Sequence, residues 1–216
     1  MAGVGGRGPE DAAGIRGQAV SDDSIAAEKA ALRAEIRARV AALGAEERGR
    51  EAAAVVEWVT GFDGWRRARG VGLFVPIGDE IPVGALMEAA WKAGKEVALP
   101  AWVGGESGYR FRTVRGAADL APAGRFGIRE PKAGCEDARA ERLDFVVVPG
   151  VAFDPMGRRL GRGKGYYDRL LAGVEGATCG VGYGVQLVPR VPLEAHDIAL
   201  KLVATARGFL GPAARG

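Results

Sequence analysis

Histidine is nearly absent from this 216-residue chain: one occurs, His196. A multi-histidine metal centre and a His-x-x-x-His helix motif are excluded, although a single imidazole can still serve as a base. The two cysteines, Cys135 and Cys179, lie too far apart for a Cys-x-x-Cys redox motif and are too few for structural zinc. With so few thiols and no apolar N-terminal stretch of signal-peptide type, the expected compartment is a reducing cytoplasm. No apolar run approaches the roughly 18 residues of a membrane span. A dominant charge sign is also lacking. Thirty basic residues face 27 acidic ones, for a net charge of +3, which suits an anionic ligand but does not make a nucleic-acid surface.

What the chain has in excess is glycine, 35 residues of 216, more than double the ordinary share of about 7 %. No Gly-X-Y period runs through it, so it is not collagen-like, and a 48 % hydrophobic content excludes a wholly disordered chain. Gly3, Gly5, Gly6, Gly8, Gly14 and Gly17 are interspersed with charges and carry no periodicity. Residues 1–23 are therefore expected to be a disordered tail ahead of one folded unit over residues 24–210.

Within that unit Ser24 is an expected N-cap. Ile25, Leu32, Ile36, Val40 and Leu43 recur at helical spacing up to Gly44, and a second helix is expected over Ala45–Thr60. The apolar run Val71–Val75 before Pro76 reads as a strand. Pro82 is placed to open a helix that Gly94 ends, and Val97–Leu99 before Pro100 reads as another strand. Tyr109, Phe111 and Thr113 alternate with Arg110, Arg112 and Val114 like a half-exposed strand. Leu143–Val148 is apolar without alternation, the mark of a central parallel strand buried on both faces. Tyr166–Leu171 reads as a helix, and Thr178–Tyr183 and Leu200–Thr205 as late strands. The alternation of strands and helices predicts an α/β fold: a single three-layer α/β/α domain with a mostly parallel sheet.

Chemistry concentrates in PGVAFDPMGRRLGRGKGYYDR, residues 149–169. Gly157, Gly161, Gly163 and Gly165 allow backbone N–H groups to approach an anion, and Arg158, Arg159, Arg162 and Lys164 supply positive charge. The segment lies between an expected buried strand and a helix, at the carboxyl edge where open α/β sheets bind ligands. It is neither a P-loop, since Gly165 stands where Ser or Thr would follow Lys164, nor a G-x-G-x-x-G turn. Read alone, it is also compatible with a solvated surface turn. Asp168 can cap the helix or hold magnesium beside phosphates. Lys29 and Arg33 share a helix face that can simply be solvated. The acid pair Asp79–Glu80 can be solvated or can read N–H donors of a heterocycle. Trp102, Phe126, Tyr166 and Tyr167 can stack on a ring or fill the core. His196–Asp197 is a polar pair in a late loop. A nucleic-acid module and a CoA or sugar-phosphate enzyme are the competing readings of the same anion loop.

Taken together, the blocks KAALR (29–33), FVPIGDEI (74–81), FGIREP (126–131), the glycine segment and VPLEAHDIALKLVAT (191–205) resemble the 5-formyltetrahydrofolate cyclo-ligase family over residues 28–205. The resemblance implies an ATP- and Mg2+-dependent conversion of 5-formyltetrahydrofolate to 5,10-methenyltetrahydrofolate, with release of ADP and phosphate. It implies ATP binding by Lys29, Ala30, Ala31, Leu32 and Arg33 and by Arg159, Leu160, Gly161, Arg162, Gly163, Lys164, Gly165, Tyr166 and Tyr167. Folate contacts are implied at Val75, Glu80, Arg162, Gly163, Lys164, Gly165 and Tyr166, and magnesium ligands at Asp168 and Asp197. Arg159, Arg162 and Lys164 are the expected catalytic cations. The implied partners are these small molecules, with neither nucleic acid nor membrane, on a monomer or small homo-oligomer.

Overall fold

The computed structural model describes residues 22–105, 108–122, 127–194 and 197–215. Most of the expected tail, together with Phe126 and His196, lies outside these residues.

Two helices open the described chain, α1 (Asp22–Ala41) and α2 (Ala45–Gly61). Ile36 and Val40 of α1 and Val55 and Val59 of α2 are buried, as their spacing requires. Ser24 is not the N-cap. The helix starts two residues earlier, with aspartates at the positive end of its dipole. Gly44 does not close α1 either: with φ −66° and ψ 155° it is the extended N-cap of α2. A short α3 (Asp63–Arg67) then buries Trp65.

The main sheet contains β1 (Gly70–Gly72), β2 (Glu96–Gly104), β3 (Gly108–Val114), β4 (Phe145–Pro149), β7 (Ala177–Val181), β8 (Leu202–Thr205) and β9 (Gly208–Leu210). Their order is β3-β2-β1-β4-β7-β8-β9, with four parallel pairings inside and one antiparallel pairing at each edge. The apolar run Val71–Val75 yields a strand of three residues only. Leu73 and Phe74 lie past the end of the strand yet stay buried, so the length of the run reports burial more than pairing. Pro100 does not stop β2. Ala98 accepts the N–H of Leu73 on the β1 side, so alternation turns Pro100 to that same side, where β1 has already ended and no donor is needed. The helix α4 (Gly84–Lys92) begins after Pro82, with Val83 at its cap, because the N–H groups of Leu86 and Met87 both reach the Val83 carbonyl.

All five residues of β4 are buried. Phe145 and Val147 face the core shared with α2 and α4, while Val146 and Val148 face the core shared with α5 (Tyr166–Leu171). Helices thus cover both faces of a mostly parallel sheet, the expected α/β architecture. From β1 the chain moves outward to β2 and returns to β4 on the other side. The crevice past the carboxyl ends of β1 and β4 is therefore the topological switch point, where such sheets bind ligands.

An unforeseen hairpin, β5 (Ala152–Phe153) with β6 (Arg159–Leu160), follows β4 and aims Arg159 back at this crevice. The buried Asp154 carboxylate holds its turn, accepting N–H groups of Met156 and Arg158 at 2.9 and 3.1 Å and of Val191 at 3.0 Å. Gly157 belongs to this turn and not to the anion loop. Its φ is +78°, and a Cβ there would fall 2.1 Å from the Leu200 carbonyl oxygen.

Candidate functional site

A cleft of about 540 Å³ opens at the switch point. Three regions build it: the first half of α1, the loop after β1, and the segment from β6 into α5. Of the first-helix block, Lys29 and Arg33 reach the cleft. Ala30 and Ala31 are exposed, and Leu32 packs against the core. From the second region come Val75, Ile77 and Glu80, and from the third every residue from Arg159 to Asp168. Asp197 completes the wall. Folding therefore gathers nearly all the residues singled out in the sequence.

Lys29 is 6 % exposed. Its Nζ donates to Asp197 Oδ2 at 2.5 Å and to Glu194 Oε2 at 2.6 Å. Burial alone would lower its pKa, but the two carboxylates outweigh burial and hold it above the ordinary lysine value. Arg33, one turn on, donates from Nε to the Gly161 carbonyl at 2.8 Å and so pins the glycine loop to α1.

Arg159 is 8 % exposed and donates from Nη2 to Asp168 Oδ1 at 2.8 Å. Its guanidinium lies 5.6 Å from the Tyr167 ring centre, and its Nε is buried with no partner among the described residues. Burial pushes the Tyr167 phenol above its ordinary range. Asp168 thus sits in the first turn of α5 as an ion-pair partner, while the helix is capped by Gly165 at φ +61°. Gly163, at φ +90°, holds the left-handed turn between the two loop cations.

Arg162 and Lys164 are exposed. Arg162 reaches back to the loop after β1, donating to Glu80 Oε1 at 3.0 Å, the Ile77 carbonyl at 2.9 Å and Asp79 Oδ1 at 3.3 Å. The other Glu80 oxygen accepts the Ile77 N–H at 2.9 Å. Burial nevertheless wins over these contacts and raises the Glu80 carboxyl above its ordinary pKa. Lys164 lines the cleft with no ion-pair or hydrogen-bond partner for its ammonium among the described residues.

Tyr109 and Tyr166 also line the cleft, and Trp102 packs against both. Trp102, Tyr109 and Tyr166 meet edge to face, with ring centres 5.1 to 5.7 Å apart. Tyr109 and Glu194 had drawn no functional reading from sequence. Alternation on β3 gave Tyr109 a side but no site, and Glu194 sits unmarked inside the last block.

The sequence profile of the 5-formyltetrahydrofolate cyclo-ligase family matches residues 25–206. The chain belongs to the 5-formyltetrahydrofolate cyclo-ligase family. Among that family's members, the 5-formyltetrahydrofolate cyclo-ligase of Escherichia coli K12 is 38 % identical over 143 residues, spanning 64 % of this chain and 78 % of that one. The solved 5,10-methenyltetrahydrofolate synthetase of Aquifex aeolicus is 36 % identical, with a TM-score of 0.77 over 85 % of this chain and 92 % of the other. The synthetase of Mycoplasma pneumoniae, at 21 % identity and a TM-score of 0.66, shares the fold. Burial pushes the Cys179 thiol up, as befits a core residue rather than a nucleophile. Among the described residues no helix is long and apolar enough to cross a membrane.

Proposed function

We propose that this enzyme converts 5-formyltetrahydrofolate and ATP into 5,10-methenyltetrahydrofolate, ADP and phosphate with the help of magnesium. The observation that carries the reading is the meeting, in one cleft, of the loop Gly161–Gly165, the α1 cations Lys29 and Arg33, and the half-buried Glu80.

A formamide carbon is a weak electrophile and its oxygen a weak leaving group. Transfer of the γ-phosphoryl group from ATP to the formyl oxygen changes both. N10 then attacks the activated carbon, loses its proton, and inorganic phosphate departs as the ring closes. Phosphoryl transfer asks for positioning and charge neutralisation rather than covalent help. Arg159, Arg162 and Lys164 supply positive charge, and Gly161, Gly163 and Gly165 line the same space, where the lack of a Cβ lets an anion come close to the backbone. Residues 29–33 and 159–167 hold ATP, with Lys29 and Arg33 providing the contacts from α1.

Val75, Glu80 and residues 162–166 hold the folate. The ionised Glu80 accepts N–H donors of the pterin, and Tyr166 offers a ring edge beside it. Asp168 and Asp197 suit magnesium. Both are hard oxygen donors on the cleft wall, and this ion takes one or two carboxylates together with substrate phosphates. Bound there, magnesium neutralises developing phosphate charge. The reading carries with it a cytoplasmic monomer or small homo-oligomer.

The test is direct. Purified protein with 5-formyltetrahydrofolate, ATP and magnesium is expected to generate the methenyl chromophore together with stoichiometric phosphate. No ATP-dependent product would refute the reading.

A further inference from the structure

Every carboxylate proposed above to meet magnesium is held here by a cation proposed to meet phosphate: Asp168 by Arg159 and Asp197 by Lys29. The Lys29 pair has a third member that the reaction does not use. Glu194 Oε2 lies 2.6 Å from Lys29 Nζ, and the Glu194 backbone N–H donates to Asp197 Oδ2 at 2.8 Å. The two carboxylates are thereby fixed side by side around one ammonium. Lys29 is also the one buried residue of α1 between residues 23 and 35.

We propose that Glu194 is a positioning residue that withholds Lys29 from bare nucleotide, so that the site accepts ATP chiefly as its magnesium complex. The inference rests on the nucleotide reading of the cleft. Bare ATP can reach the Lys29 charge only by displacing two carboxylates, and its phosphates would then lie beside both of them, like charge against like charge. With Asp197 engaged by magnesium, Lys29 retains Glu194 alone and its charge turns toward phosphate. Glu194 then keeps the ammonium at the cleft wall. The two ligands are coupled because each relieves the charge that the other would leave exposed.

The experiment is calorimetric titration of the full chain with ATP in EDTA and with ATP in excess magnesium, for the wild type, Glu194→Gln and Glu194→Ala. The wild type is expected to favour the magnesium complex by roughly a hundredfold. In both variants metal-free affinity is expected to rise roughly tenfold, with affinity for the magnesium complex within about threefold of wild type, so the preference contracts. An unchanged preference, or a parallel fall in both affinities, overturns the proposal, because a merely structural residue moves the two together. If the wild type binds neither form, the nucleotide reading itself has failed and takes this inference with it. Thermal melting of each variant identifies any that is unfolded, and the other substitution then decides.

Discussion

The cations of the cleft fall into two unlike pairs. Lys29 and Arg159 are buried, and each is already matched to carboxylates at 2.5 to 2.8 Å. Arg162 and Lys164 stand on the exposed glycine loop, the first paired with Asp79 and Glu80 and the second with no partner among the described residues. The difference separates stability from chemistry. A buried charge is costly unless paired, so the inner cations are part of the fold before any ligand arrives. An exposed charge costs little to hold unpaired, so the outer cations can be given to a ligand without loss of structure.

Single substitutions can break this comparison. The largest effect on turnover is expected from Lys164→Ala: a loss of kcat on the order of 10²–10³, the scale for removing a charge-stabilising donor. Thermal unfolding should stay within about 0.5 kcal/mol of wild type, as for an exposed side chain without partners. Steady-state assay and calorimetry on the same preparation check both halves.

Asp168→Ala is expected to act on both properties. It leaves Arg159 buried without its carboxylate, when Nε already lacks a partner. Denaturant unfolding should show a loss of about 3 kcal/mol, in addition to loss of turnover.

Glu80 sharpens the comparison through pH. Burial raises its pKa above the ordinary 4.5. The ionised form is the hydrogen-bond acceptor, so folate affinity should be full above the raised pKa and decline as pH falls through it. The KM for folate is expected to rise on acidification from a midpoint above 4.5, and Glu80→Gln should remove that limb. The smallest effect on turnover belongs to Arg162→Ala, whose stability cost of about 1 kcal/mol should fall between those of Lys164→Ala and Asp168→Ala, because its own guanidinium is exposed while its partner Glu80 is largely buried. Its signature should be a raised KM for folate with a melting temperature lowered by no more than about 4 °C.

Much of this was legible before folding. The unalternating run 143–148 announced a central strand because a strand covered on both faces has no polar side, and β4 is that strand. Tyr166–Leu171 is the helix its composition suggested. The less legible parts have specific reasons. Val71–Val75 looked like a longer strand because burial extends past pairing. Pro100 looked like a terminator because sequence does not show that its neighbour has already ended. The hairpin β5–β6 is two residues deep on each side, too short for any period, and its turn depends on Asp154 accepting an N–H from the distant Val191.

By itself the sequence determined the family, the α/β class and the chemical inventory of the anion loop, because residue types and local spacing carry those properties. Which carboxylate faces which cation was decided only in three dimensions. Lys29 and Asp197 are 168 residues apart, as are Arg162 and Glu80 by 82, and no local pattern records such a pairing. The sheet's switch point brings these distant segments to one crevice. Burial there then sets which charges must be matched within the protein and which remain available to a ligand.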